Sequence, residues 1–284
     1  MQVALSQFVD WGRIRYAQRT VDTYRGLINR FIVWTKNKKL CDITIDDVTQ
    51  YYLNLKKRGY AESSIAFMMI SLRQFFRFLF LRGEIKWDYQ LIQIPKYMSN
   101  SYPPATKAIF EEMSKMKVCN FKDLRDKTIL HFLYSSGVRV SELCAIKIAD
   151  ISLEKGFGVI ISKKNQKKRM IFWDDQTREI LARYLLQRTE HSKSPYLFIS
   201  IASRNLGQKL TTRSVQRIVE AYRQSPDITP HSFRHGLGMR AVQANIHPRY
   251  IQQILGHKNL NSQEVYLDTV DQEVKQAYDK IKGD

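Results

Sequence analysis

Apolar positions along residues 1–90 recur with the period of helices. In TVDTYRGLINRFIVW (20–34), Val21, Tyr24, Ile28, Phe31 and Trp34 fall three or four residues apart and share one face. Thr20 stands before that face as an N-cap candidate, with Asp22 in the first turn. TIDDVTQYYLNLKKRG (44–59) opens with Thr44 and Asp47 at capping-box spacing and stops at Gly59. AESSIAFMMISLRQFFRFLFLRG (61–83) carries Ile65, Met68, Leu72, Phe75 or Phe76, and Leu79 on a stripe broad enough to lie between other helices. These aromatics read as core. Between them stand Arg25, Arg30, Lys56, Lys57, Arg58, Arg73 and Arg77, so residues 1–93 are expected to form a small basic helical bundle.

The period breaks at IPKYMSNSYPPATK (94–107), which holds three prolines and several small polar residues. Residues 94–106 read as an interdomain linker. Beyond it, helical patterns run around 107–117, 122–135, 177–189, 211–224, 231–244 and 248–255. Between 156 and 174 the β-rich runs GVIIS and MIFW flank a lysine-rich turn, a hairpin signature without an Asn-Gly turn. Residues 271–282 read as a short terminal helix with Val274, Ala277, Tyr278 and Ile281 on an apolar face. The expected fold is mainly α with a small β-hairpin, an α+β second domain (107–284) following the first bundle.

Charge narrows the partner. The 284 residues hold 46 Lys and Arg against 27 Asp and Glu, a net charge of +19. Residues 1–95 alone hold 15 against 8, so both halves are basic. Such a balance suits a polyanion, because neutralising phosphates drives nucleic-acid binding. The basic residues are spread over many segments, which disfavours a single membrane-surface helix. Short apolar runs such as FMMI and FLFL fall below the roughly 20 residues a bilayer span needs. The N-terminal stretch is charged early, so no signal peptide, no membrane partner and a cytoplasmic location are expected. Cys41, Cys119 and Cys144 are far apart and odd in number. Reduced thiols are expected, with neither a disulfide framework nor a zinc site.

Four segments of the second half concentrate unusual polar groups. SSGVRVSEL (135–143) puts Arg139 just past Gly137, near the start of a short helix. The hairpin turn carries Lys163, Lys164, Lys167, Lys168 and Arg169. TPHSFRHGLG (229–238) sets His231 and Arg234 one turn apart after Pro230. LGHKNLNSQEVYL (255–267) holds His257 and, nine positions on, Tyr266. Taken singly, each reads as a surface or packing residue. Taken in order, without a carboxylate cluster to hold a metal, they form an inventory for phosphoryl transfer. Guanidinium forks are permanently charged and bidentate, and suit the added charge on a phosphodiester transition state. A tyrosine hydroxyl can attack such a phosphate and hold it covalently.

Over nearly its whole length the chain resembles the tyrosine recombinase, or phage integrase, family, and most resembles its compact Xer-type members. SSGVRVSEL matches the first arginine box, PHSFRH the His-x-x-Arg box, and LGHKNLNSQEVYL the final box. The resemblance implies an N-terminal SAM-like core-binding domain and a C-terminal catalytic domain that clamp DNA like a C. It implies Arg139, Lys164, His231, Arg234, His257 and Tyr266 as catalytic residues, with no cofactor and no metal. KNQKKR fits the family's hairpin with Lys164 catalytic and Lys167 and Arg169 following. Counting forward from Arg139 favours Lys163, and strand alternation lets only one of the two face DNA. The glycine usual beside this lysine is absent. Glu142 is expected to orient neighbouring groups, and His235, which follows the arginine, to be supporting structure. The DNA-contacting set is expected to be Arg25, Lys56, Lys57, Arg58, Arg73, Arg77, Lys163, Lys167, Arg169 and Arg213.

The implied activity is site-specific DNA strand exchange through a 3′-phosphotyrosine and a Holliday junction. The implied partners are double-stranded DNA carrying a recombination site, three further copies of the chain in a tetramer on two sites, and a partner recombinase or accessory protein. The free protein is expected to be a monomer or dimer. The tail helix is expected to pack into a neighbouring protomer. Two alternatives share the charge: relaxation alone, as in a type IB-like topoisomerase, and a non-catalytic architectural DNA-binding protein.

Overall fold

The computed structural model describes residues 1–36, 38–96, 103–161 and 168–256, together with Gln276, Tyr278, Asp279 and Ile281. The chain divides into two compact units, Met1–Asn100 and Ser101–Asp284.

The described part of the first unit is helical: α1 (Gln2–Arg13), α2 (Gln18–Trp34), α3 (Ile45–Lys57) and α4 (Glu62–Leu81). The predicted stripes become its core, with Ile28, Phe31, Ile65, Phe75, Phe76 and Leu79 fully buried. α1 lies in the stretch read as helical, though its bounds were not read from the pattern, and Ala4, Leu5, Phe8 and Val9 give it a buried face. α2 begins a turn earlier than Thr20: Ala17 is its N-cap, and its carbonyl accepts from Thr20 and Val21 N–H. The preceding residue, Tyr16, packs on Trp11 and Tyr24 and donates to Gln74, which fixes where the chain enters the helix. Thr44 and Asp47 form the expected capping box. α4 is long and apolar enough to cross a membrane by length and composition alone, a longer apolar segment than the short runs FMMI and FLFL led us to expect. Its apolar side chains instead pack against α1, α2 and α3 as the central helix of this core.

The second unit is built around α6 (Phe121–Ser136), buried over most of its circumference. Asn120 caps its start by accepting from Asp123 N–H, and Gly137 ends it in the left-handed region at φ 57°. α5 (Lys107–Ser114), α8 (Asp175–His191), α9 (Thr212–Tyr222) and α10 (Pro230–Gln243) pack around it. α7 (Val140–Leu143) follows Gly137, and α11 (Pro248–Leu255) follows α10. The sheet has three antiparallel strands in sequence order: β1 (Ile151–Ser152), β2 (Phe157–Ile161) and β3 (Lys168–Phe172). The β2–β3 hairpin was read from the sequence; two-residue β1 is too short to leave an alternation. In β2–β3, Gly158 pairs with Ile171 and Ile160 with Arg169, so Arg169 shares the buried face of the hairpin.

The described tail residues pack on their own unit. Tyr278 is buried, lies tilted against Phe172 with ring centroids 5.4 Å apart, and donates its hydroxyl to the Ser135 carbonyl at 2.8 Å. Ile281 is buried with it. Of the apolar face expected to dock on a neighbouring copy, Tyr278 and Ile281 pack within this chain on the apolar surface of β3, α10 and α11, while Val274 and Ala277 lie outside the described residues.

Candidate active site

The site begins where α6 stops. Gly137 turns the chain, and Arg139 follows in extended conformation as the residue that opens α7. A Cβ at Gly137 would lie 2.6 Å from Leu237 Cδ2, so the positive φ and the close approach of α10 both call for glycine. Glu142, one turn on, reaches back: Arg139 N–H donates to Oε2 and Arg139 Nη1 to Oε1, each at 2.9 Å. This carboxylate is almost fully buried, 3% exposed, and it holds a second arginine, because Arg169 Nη2 donates to Oε2 at 2.7 Å. Burial pushes the Glu142 carboxyl up. The charge of Arg169 and the hydrogen bonds from Arg139 and Arg169 outweigh that and hold it below the usual carboxylate value.

α10 supplies the next pair. Thr229 N–H donates to Ser232 Oγ at 3.1 Å, and Pro230 occupies the first turn where no N–H is needed. His231 stands in that turn on the exposed side; Arg234, one turn later, is buried. Partial burial of the His231 ring, followed by the charges of Arg234, His235 and Arg139, lowers its pKa and favours the neutral ring. Arg234 donates through Nη1 to the Gly137 carbonyl at 2.9 Å and through Nη2 to the Leu255 carbonyl. Its burial, with Arg139 and Arg169 nearby, pulls its pKa down to about 9, which leaves it cationic at neutral pH.

Three arginines meet at one helix end. The last carbonyls of a helix lack intrahelical donors and carry the negative end of its dipole. At the end of α11, the Ile254 carbonyl accepts from Arg169 Nη1 at 2.6 Å, Leu255 from Arg234 Nη2, and Gly256 from Arg139 Nη2 at 3.1 Å. Gly256 has φ 64°, and a Cβ there would fall 2.6 Å from Arg169 Cδ, so the glycine both ends the helix and lets the arginine pass. Three guanidinium groups against one carboxylate leave the cluster cationic. Each guanidinium has five N–H donors, more than these bonds use, so the cluster can still bind an anion.

Of the sequence candidates, the structure gathers Arg139 and Arg234 and sets His231 one turn from Arg234. Lys163, Lys164, Lys167, His257 and Tyr266 lie outside the described residues. Arg169 is a correction: expected on DNA, it is turned inward, its side chain 8% exposed and paired with Glu142, because its register puts it on the buried face of the hairpin. Arg73 is likewise drawn in, donating Nε to the Ile92 carbonyl at 3.1 Å. Arg25, Lys57, Arg58 and Arg77 are exposed. Lys56 pairs with Glu62 at 3.2 Å, and Arg213 with Glu220 at 3.1 Å, both at the surface. Sequence reasoning missed the inward arginine. Its one local signal is strand alternation, since 169 and 171 share a face.

A family model described as the phage integrase family matches residues 105–273, more than half of the chain. The chain belongs to the phage integrase family. The model of that family's N-terminal SAM-like domain matches residues 11–83. Among similar proteins, the tyrosine recombinase XerA of Pyrococcus horikoshii is 33% identical over 241 residues, covering 84% of this chain and 81% of that protein. The tyrosine recombinase XerC of Vibrio cholerae is 30% identical over 274 residues, covering 93% and 86%. A solved lambda integrase dimer bound to a core site superposes with a TM-score of 0.73 at 18% identity, covering 99% of this chain and 95% of that one. A Tn1549 transposon integrase bound to circular intermediate DNA gives 0.71 at 16%, covering 94% and 98%. Likenesses at these identities concern the fold, which agrees with the mainly helical two-unit architecture. With its recombinase relatives, the family membership makes this protein a tyrosine-type site-specific recombinase.

Proposed function

We propose that the protein cuts and rejoins double-stranded DNA through a covalent link to Tyr266. The observation that carries this reading is the meeting of Arg139 and Arg234 at the end of α11, one residue before His257 in the chain. A phosphodiester laid on these guanidinium groups gains charge on its non-bridging oxygens during attack, and preorganised cations stabilise that charge. Tyr266 Oη forms the bond to phosphorus as the bond to the 5′-oxygen breaks. The tyrosine proton passes to neutral His231, since a phenol with an ordinary pKa near 10 needs a base. Lys164 supplies a proton to the leaving 5′-oxygen, and His257 donates a hydrogen bond to the phosphate. Reversal by a 5′-hydroxyl of another strand exchanges strands through a Holliday junction, because the phosphotyrosine preserves the phosphodiester energy.

The excess of basic residues in both halves supports a DNA substrate. A solved lambda integrase tetramer bound to a Holliday junction, TM-score 0.72 at 18% identity, supports assembly of four copies on two sites. A DNA substrate supports a cytoplasmic location. The test uses a nicked duplex carrying the sequence that the wild-type protein selects from a random library. A covalent protein–DNA adduct on a denaturing gel, lost in Tyr266→Phe, is the expected result. An adduct that persists in that variant overturns the assignment of the nucleophile. Relaxation of supercoiled DNA without strand exchange between two selected sites would favour a topoisomerase instead.

A further inference from the structure

Arg169 is a buried cation on β3 whose contacts join that strand to α7 and to the end of α11, three elements of the second unit. It stands two residues after Lys167 in the chain. Its Nη2 holds the Glu142 carboxylate of α7, which in turn holds Arg139 through both the backbone N–H and Nη1. Its Nη1 holds the Ile254 carbonyl at the end of α11, which leads into His257. We propose that Arg169 is a positioning residue: it ties the lysine hairpin, the first arginine and the end of α11 into one frame, and so sets the distance between the arginine clamp and the segment that carries His257 and Tyr266. The inference rests on the reading of Tyr266 as nucleophile.

The chemistry of the residue fits this role. A planar guanidinium presents its donors in a fixed fork, with a carboxylate on one side and a carbonyl on the other; an ammonium is a compact charge whose three donors rotate on a flexible stem. The buried position keeps Arg169 from solvent, and the register with Ile160 turns it away from the exposed hairpin face that Val159 and Ile161 share. A residue that grips DNA would face that open side and would act through affinity. A residue that sets the frame acts on the rate once DNA is bound, because small displacements of reacting groups cost about 10²-fold.

Arg169→Ala and Arg169→Lys are compared with wild type on the nicked selected duplex. The affinity for the duplex is measured beside the single-turnover rate of adduct formation at saturating DNA. Loss of positioning predicts a rate about 100-fold lower for Arg169→Ala, an affinity within about threefold of wild type, and an intermediate rate for Arg169→Lys. Millimolar guanidinium should restore much of the Arg169→Ala rate by refilling the slot. A loss that appears in affinity with the saturated rate unchanged overturns the proposal in favour of DNA contact. A rate loss that guanidinium does not relieve, with thermal unfolding lowered in both variants, overturns it in favour of general stability.

Backbone amide exchange of the full chain without DNA provides an arm independent of cleavage. Arg169→Ala should lose protection in 139–143 and 250–256 while 177–189 stays protected; unchanged protection in 250–256 overturns the proposal. If the wild-type protein forms no adduct, the nucleophile reading fails, and this exchange arm alone decides whether Arg169 holds the frame.

Discussion

The two units of this chain bury different things. Among the described residues, Ser71 is the one buried polar side chain of the first unit, and twelve buried polar or charged residues lie in the second. The first unit is a helical core of Phe, Ile, Leu and Met in which aromatic rings meet edge to face, as Phe31 and Phe76 do at 5.9 Å. Its cations lie mainly outside. The second unit draws Arg125, Arg188, Arg234 and Glu142 into its interior and answers each with carbonyls or a counter-charge. Arg125 pairs with Asp126, and Arg188 gathers the carbonyls of Ser194, Tyr196 and Leu197. A unit that only has to present a basic surface can be made from apolar packing. A unit that has to hold cations at fixed positions must bury them, and burial demands partners.

Substitutions can break this contrast. The largest effect is expected for Arg234→Ala, which removes one preorganised cation from the phosphate site. Adduct formation should fall about 10²–10³-fold, measured at saturating DNA. A fall below tenfold would remove Arg234 from the clamp. Phe76→Ala strikes the other unit. The side chain is fully buried against Phe31, Phe75 and Trp87, and its loss should destabilise that unit by about 3–5 kcal/mol in urea unfolding. The described core of the second unit shares none of these contacts, so its transition should stay in place.

Proton uptake sharpens the same contrast. His131, buried on α6 edge-on to Phe110, has its pKa lowered to about 4, chiefly by burial and further by Lys127, against the opposing pull of Asp174. Below its ordinary value of about 6.5 the unfolded chain takes up a proton that the folded chain refuses until about pH 4. The contribution is therefore fully present above pH 6.5, and about 3 kcal/mol of it is lost as pH falls through that window. His131→Leu should flatten the pH dependence of urea unfolding there; an unchanged slope contradicts the assignment. The smallest effect is expected at exposed Arg77. Arg77→Ala should leave stability within about 0.5 kcal/mol, yet lower the salt slope of DNA binding by about one.

Much of the first unit was legible because its helices are amphipathic and its core is apolar. α2 and α4 each carry a stripe that survives into the structure, and α3 keeps the capping box read for it. The start of α2 was not legible, because Tyr16 fixes it through contacts with Trp11 and Gln74 that no local pattern encodes. In the second unit, α6 is buried nearly all round and was still read as a helical pattern over 122–135. Arg139, His231 and Arg234 stood out in the sequence by motif. Arg169 was misplaced, since a lysine-rich turn reads as solvated and its neighbours in sequence are basic.

Order along the chain was enough to specify the helical period, the hairpin and the residue types that a phosphate site needs. Those features depend on neighbours within a few positions, where backbone geometry and side-chain spacing act directly. The direction in which Arg169 points, the gathering of three guanidinium groups on the Ile254, Leu255 and Gly256 carbonyls, and the seating of Tyr278 in its own unit depend on residues up to 143 positions apart. Burial and hydrogen bonding across that distance select among arginines that look alike in sequence. A cation turned inward is stable only where a carboxylate and a helix end already wait for it.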